Sequence, residues 1–308
     1  MDVTKLGKGA MHKADAKRYV FASERLEPYD WTKPYDRSIY ESKILKIRDQ
    51  GQSKSCVAQT EAETLDIISD ENDHSEHFIY SQIFIEDTGG AYVADGLKIG
   101  SQEEVPSNSV FPSEPETEEH MRDKTGIDIV KLTNINPFVS IPLDMESIAI
   151  AIREHKAVHL AVQGDNQGWQ SAYVIPPKIV EWGHDITLVE PVMTVLNGNK
   201  YFRFLNHWGS GWGEGGYGYI GEDYFTSGNV IVSMGYSNNY YVPSLKTMIG
   251  FKKTNDPKVY VQVGEQYLWV KDMQTYLSLG GNTASIVELQ DDAFSKLPID
   301  QSYCIGES

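Results

Sequence analysis

Arg48-Asp-Gln-Gly-Gln-Ser-Lys-Ser-Cys-Val-Ala-Gln-Thr-Glu-Ala-Glu63 is the stretch that decides how this chain is read. Gly51 and several small polar residues turn the chain. A lone cysteine, Cys56, then opens a run with helical spacing: Val57, Thr60, Ala62, Leu65 and Ile68. A thiol at the start of a helix feels the positive end of the helix dipole, which favours its thiolate. Gln50, six residues earlier, can hold a side-chain amide beside that thiolate. A nucleophile and an oxyanion donor are two parts of an acyl-transfer site. The same stretch also fits a buried structural cysteine at a helix start, so the remainder of the chain has to decide.

Composition narrows the classes. With 308 residues, one large or two modest domains are expected, and 40% hydrophobic and 11% aromatic residues supply a sizeable core. No run approaches the ~18 apolar residues of a membrane span, and the N-terminus lacks the apolar region of a signal peptide. A net charge of −17 speaks against nucleic acid as a partner of the body of the protein. The charge is uneven: residues 1–25 carry +3 and the remainder −20. This basic leader reads either as a solvated tail or as a segment lying along an acidic body. The only cysteines are Cys56 and Cys304, so a reactive Cys56 leaves no disulfide. That suits a reducing compartment such as the cytoplasm, or a virion-associated protein. A zinc finger is excluded, and no metal site or cofactor is expected.

Along the chain, residues 1–30 form the leader, with Ala14–Phe21 able to make two helical turns. Ser75 can cap a helix over Glu76–Glu86, Gly89-Gly90 breaks it, and Tyr92–Ile99 reads as another short helix. Residues 101–126 read as a loop. The second half changes period. Ile127–Asn134, Ala157–Gln163, Asp185–Val195 and Lys200–Asn206 read as strands, Leu143–Lys156 as a helix, and Asn197-Gly198 as a hairpin turn. Helices first and strands later mean α+β. From Pro243 to Asp256 the composition marks a boundary. Beyond it, Val259–Val263 and Gln266–Val270 form a hairpin pattern, and Met273–Leu279 reads as a helix. Residues 250–308 are thus expected to form a small hairpin-plus-helix module, a candidate for docking to a larger assembly or surface.

A thiol nucleophile needs a base, and of the eight histidines His184 stands apart. Trp182-Gly-His-Asp-Ile-Thr-Leu-Val189 puts it at the start of an alternating strand. An imidazole base needs a partner to fix its tautomer, and Phe204-Leu-Asn-His-Trp-Gly-Ser-Gly-Trp-Gly-Glu-Gly-Gly-Tyr217 offers Asn206. Taken singly, His184 could be a core histidine and Asn206 a turn former.

The last run resembles the Asn-Ser-Trp-Gly-x-x-Trp-Gly-x-x-Gly-Tyr motif of the papain-like cysteine proteases, with His207 in place of Ser. Gln50-Gly-x-x-x-Ser-Cys56 resembles their nucleophile signature. The separations of 128 residues from Cys56 to His184 and 150 to Asn206 match the spacing of roughly 130–150 residues that the family shows. The resemblance covers about residues 31–242, opening at Tyr29-Asp30-Trp31. It implies a two-lobed α+β protease domain over 31–245, a helical lobe facing a β-barrel-like lobe. It implies Cys56 as nucleophile, His184 as base, Asn206 as its orienter and Gln50 in the oxyanion hole. Trp208 would shield the Asn–His contact. Gly89 and Gly90 match the glycine pair along which substrate backbone lies, with Gly90 the expected contact. Polypeptides are the implied substrates. The leader is far shorter than the family's usual inhibitory prodomain. Val57, where the family usually has an aromatic residue, and His207 are departures. An inactive peptide- or glycan-binding relative, or a thiol hydrolase of isopeptide or cell-wall peptide bonds, are the alternatives.

Overall fold

The computed structural model describes residues 9–11, 20–69, 73–102, 104–126, 138–194, 198–237, 240–241, 248–254, 256–263, 266–278, 281–297 and 299–305. Contacts divide the chain into two units. One comprises residues 9–11 with Ser23–Ser237, the other the described residues of 17–22 and 238–308.

Strand β1 (Ala10–Met11) belongs to the first unit and β2 (Val20–Phe21) to the second. The helices follow: α1 (Ser38–Glu41), α2 (Cys56–Ile68) and α3 (Glu76–Ile83). Next come β3 (Ala91–Tyr92), α4 (Val93–Gln102) and α5 (Glu118–Met121), the last a single turn inside the expected loop. The β-rich half holds β4 (Phe138–Ile141), α6 (Met145–His155), β5 (Val158–Gly164), β6 (Tyr173–Val174) and β7 (Trp182–Met193). It continues with β8 (Lys200–Leu205), β9 (Tyr217–Gly221), α7 (Glu222–Thr226) and β10 (Val230–Tyr236). The expected strand over 127–134 lies outside the described residues. So do most of the expected helical turns at 14–21, whose described end is β2.

Helix α2 organises the first unit. Its spacing suggests one apolar face, yet every residue from Cys56 to Ile67 is buried. The acids on its other faces therefore need partners, since an unpaired buried charge is costly. Asp66 pairs with Arg48 and His74, and Arg48 also pairs with Glu76 at the start of α3. Ser75 caps α3, its hydroxyl accepting from the Phe78 N–H at 3.1 Å. Asp144 caps α6 in the same way through the Ser147 N–H at 2.7 Å.

The strands of this unit lie in the order β4-β10-β5-β7-β8-β9-β6. All neighbours run antiparallel except β6 and β9. On β7, Val162 of β5 faces His184, and Leu205 of β8 faces Thr187. Helices α2 and α6 both pack on β7. This is why its interior from His184 to Pro191 is buried without alternation.

In the second unit β2 pairs antiparallel with β11 (Tyr240–Tyr241). The following elements are β12 (Met248–Lys253), β13 (Val259–Val263), β14 (Gln266–Val270), α8 (Met273–Ser278), β15 (Gly281–Leu289), α9 (Asp291–Phe294) and β16 (Ile299–Ile305). The hairpin β13–β14 and α8 are the expected pieces. Strands β12, β15 and β16 extend them into a five-stranded sheet ordered β15-β12-β13-β14-β16. The β12–β15 and β14–β16 pairs are parallel. Parallel partners are joined through a long crossover and leave no turn signal in the sequence.

Candidate active site

Cys56 is the first residue of α2. Ser55 before it forms no side-chain cap with the helix. Its hydroxyl is engaged instead by Ser53 Oγ at 2.6 Å and Gln59 Nε2 at 3.2 Å. The first N–H groups of α2, which a capping side chain would otherwise take, are therefore left to other acceptors. Gln50 is fully buried, and its Nε2 donates one hydrogen to the Ser53 carbonyl at 2.9 Å.

The loop bearing Gln50 is tied to the loop bearing Asn206. The Gln50 N–H donates to the His207 carbonyl at 2.9 Å, and the Gly209 N–H to the Arg48 carbonyl at 3.0 Å. Asp49 and Trp208 form a β-bridge. Residues 48–50 and 207–209 thus run together as a short antiparallel ribbon. It sets the loop before Cys56 beside the loop after β8.

His184 lies near the start of β7 and is fully buried. Its Nε2 is 2.8 Å from Asn206 Oδ1, which also accepts the His207 N–H at 2.9 Å. A backbone N–H can only donate, so the Asn206 atom it meets is the oxygen. His184 Nε2 must then carry a hydrogen. In the neutral ring the proton-accepting nitrogen is Nδ1. Trp208, also fully buried, stacks on His184 with centroids 4.8 Å apart at 25°. Trp169 and Trp182 meet the ring edge-on at 5.7 and 6.1 Å.

Residues 9–11 run as a strap over this site. The Gly9 N–H donates to the Gly183 carbonyl, next to His184, at 3.1 Å. The Ala91 N–H donates to the Gly9 carbonyl at 3.0 Å, and β1 pairs with β3 in parallel. Ala10 joins the buried cluster that includes Cys56, Ala91, Ala161 and Met234. Burial opposes the expected thiolate. Burial pushes the Cys56 thiol up to about 12 and the Asp185 charge adds to this, while backbone N–H groups of Asp185, Gly9 and Val57 offset it in part.

Gly89 and Gly90 both have positive φ, +66° and +76°. The Gly90 N–H donates to Tyr80 Oη at 2.9 Å, and its carbonyl accepts the Ile85 N–H at 3.0 Å. Its backbone groups are committed, and the N–H that meets the strap belongs to Ala91. Gly90 matters differently: a Cβ there would land on the Gly9 carbonyl oxygen. Nothing in the sequence marks Ala91, because a backbone group leaves no side-chain signature.

The profile of the papain family cysteine proteases matches residues 27–234. The chain belongs to that family. Among solved structures it is similar to the digestive procathepsin L 3 of Tenebrio molitor larval midgut, at 17% identity and a TM-score of 0.55. That match covers 76% of this chain and 76% of that one. Bromelain from Ananas comosus, in complex with the E64 inhibitor, matches at 19% identity and a TM-score of 0.52, over 69% of this chain and 99% of its own. Xylellain, a cysteine protease from Xylella fastidiosa, matches at 18% identity and a TM-score of 0.55, over 75% and 95%. No curated protein matches the chain.

The protein is thus a papain-family cysteine peptidase with the α+β, two-lobed fold of that family, and its substrates are polypeptides. Cys56 is a free thiol. Among the described residues there is no group of three or more metal-ligating side chains, and no helix is long and apolar enough to cross a membrane.

Proposed function

We propose that this papain-family peptidase is an endopeptidase that works through Cys56, His184 and Asn206 and an acyl-enzyme intermediate. The observation that carries the reading is the buried 2.8 Å bond from His184 Nε2 to Asn206 Oδ1, its polarity fixed by the His207 N–H. That bond leaves Nδ1 to take the Cys56 proton and return it to the leaving amine. The Cys56 sulfur then attacks the scissile carbonyl. The oxyanion that forms is held by the uncapped Cys56 N–H and the remaining amide hydrogen of Gln50. Substrate backbone lies along Ala91, where β1 now pairs. Water attacks the thioester, with His184 again moving the proton, and the acid leaves.

The reading is tested by digesting a peptide library with the wild-type protein and with Cys56→Ala. Cleavage at internal bonds that disappears with the thiol is expected. Cleavage that persists in Cys56→Ala removes the nucleophile assignment, and release of terminal residues alone removes the endopeptidase assignment.

A further inference from the structure

Behind the proposed dyad lies a charged array that the mechanism does not use. His159 sits on β5, Asp185 follows His184 on β7, and Glu61 is on α2, five residues after Cys56. His159 Nδ1 is 2.8 Å from Asp185 Oδ2, and His159 Nε2 is 3.0 Å from Glu61 Oε2. All three side chains are fully buried. Carboxylates accept and do not donate, so a ring bonded to two of them carries hydrogen on both nitrogens and is an imidazolium. Tyr236 Oη on β10 donates to the other Glu61 oxygen at 2.5 Å and lies 3.0 Å from the Leu97 carbonyl of α4. At Gly100 of α4 a Cβ would overlap Glu61 Oε1 and crowd Tyr236 Oη, so that helix is shaped around the array.

The geometry points to His159 as a positioning residue: a buried cation that clamps the helix carrying Cys56 to the strand carrying His184. The inference rests on the Cys56–His184 reading above. Each carboxylate is attached to an element that bears one reacting group. The cation between them draws the two elements together through charge-assisted bonds in a dry interior. A thiol and an imidazole exchange a proton efficiently only when held to a fraction of an ångström. Without the cation, two buried carboxylates would face each other across that contact and push α2 from β7.

The charge state has a pH range. Burial works against the charged ring, but Asp185 and then Glu61, by charge and hydrogen bond, outweigh it and raise His159 from 6.5 to about 9. The groups bonded to it are Glu61 from α2 and Asp185 from β7, and Tyr236 from β10 is bonded in turn to Glu61. A histidine with a raised folded pKa gives its full stabilisation below its unfolded value. That stabilisation is lost as pH rises through the folded value. The clamp therefore holds at neutral pH and lets go in alkali.

The test uses the full-length protein. Alkylation of Cys56 by iodoacetamide, located by peptide mapping, is measured from about pH 5 to about pH 10 in the wild type and in His159→Gln, with kcat and KM for a fluorogenic peptide. Protection by residues 9–11 divides out of the ratio. The wild-type rates should break downward near the alkaline release. His159→Gln should lose that break and lower kcat by about tenfold or more, with KM within about threefold. A folded His159→Gln with wild-type kcat and an unmoved profile overturns the clamp. If His159→Gln does not fold, Glu61→Gln replaces it. Removing one carboxylate should move the break toward neutrality, and an unmoved break overturns the proposal. Loss of turnover in Cys56→Ala keeps the two readings separable. If Cys56→Ala is active the nucleophile assignment fails, whereas an unmoved profile around an essential Cys56 sinks the clamp alone.

Discussion

At the scale of single residues, the chemistry depends on which atom can only donate. The His207 N–H fixes Asn206 Oδ1, Asn206 Oδ1 fixes the hydrogen on His184 Nε2, and in the proposed mechanism Nδ1 is left for the thiol. Residues that act as such a unit are not additive. Cys56→Ala and His184→Ala should each lower kcat/KM by about 10⁴ or more, and the double variant should be hardly worse. Effects that multiply in the double variant would mean the two side chains work independently. Asn206→Ala removes an orienting group and no reacting atom, so its loss in kcat should be smaller, on the order of 10²-fold. Trp208 stacks on His184 and keeps it dry. Trp208→Ala should lower kcat in the same direction with little effect on KM. If both variants turn over at the full rate, Asn206 serves only its turn.

At the scale of elements, a local signal was readable wherever a side chain carried it. The start of α2 at Cys56 and the run from Asn206 to Tyr217 combine special residues at fixed spacing, and both stand where their patterns put them. Helix α2 itself was readable as a helix but not as a helix buried all round. Its acids Glu61 and Asp66 look like a solvated face until His159 and Asp185 arrive from far along the chain and Arg48 pairs from the loop before the helix. The strap was illegible for a related reason. Gly9 and Ala10 have no side chain that announces a partner, and their bonds to Gly183 and Ala91 are backbone bonds. Gly9 is nevertheless the residue to change. A Cβ there would lie 2.7 Å from the Lys54 carbonyl oxygen and 2.8 Å from Gly90 Cα, both backbone atoms that cannot swing away. Gly9→Val should lift β1 off β3 and let water reach Cys56, whose thiol is raised to about 12 chiefly by burial. Alkylation of Cys56 at about pH 7 should then accelerate by about tenfold or more, and peptide turnover should rise with it. Equal rates in Gly9→Val and wild type would show that residues 9–11 impose no restraint.

At the scale of the whole molecule, the residues proposed for catalysis all fall in one unit. Cys56, His184, Asn206, Gln50 and Ala91 lie within Ser23–Ser237, as does the buried cluster from Ala58 to Met234 that packs behind the thiol. The second unit has a five-stranded sheet of its own and its own buried residues, among them Val261, Leu268, Val270 and Tyr276. It is small, with roughly seventy residues to form a core, near the size at which a domain without disulfides or metal becomes marginal. Two consequences follow from that difference in size. In calorimetry the full chain should melt in two steps, and the lower-temperature step should vanish when the chain is ended after residue 237. Ending the chain there also removes Tyr240–Tyr241, the partner of Val20–Phe21, so the leader loses a strand pairing while β4 to β10 keep theirs. The shortened protein should stay soluble, and its kcat/KM on a short peptide should remain within about threefold of the full chain. If the second unit serves to dock a larger substrate or surface, the shortened protein should lose activity on that target alone. Insolubility, or a short-peptide kcat/KM lower by about tenfold, would show instead that residues 238–308 complete the peptidase.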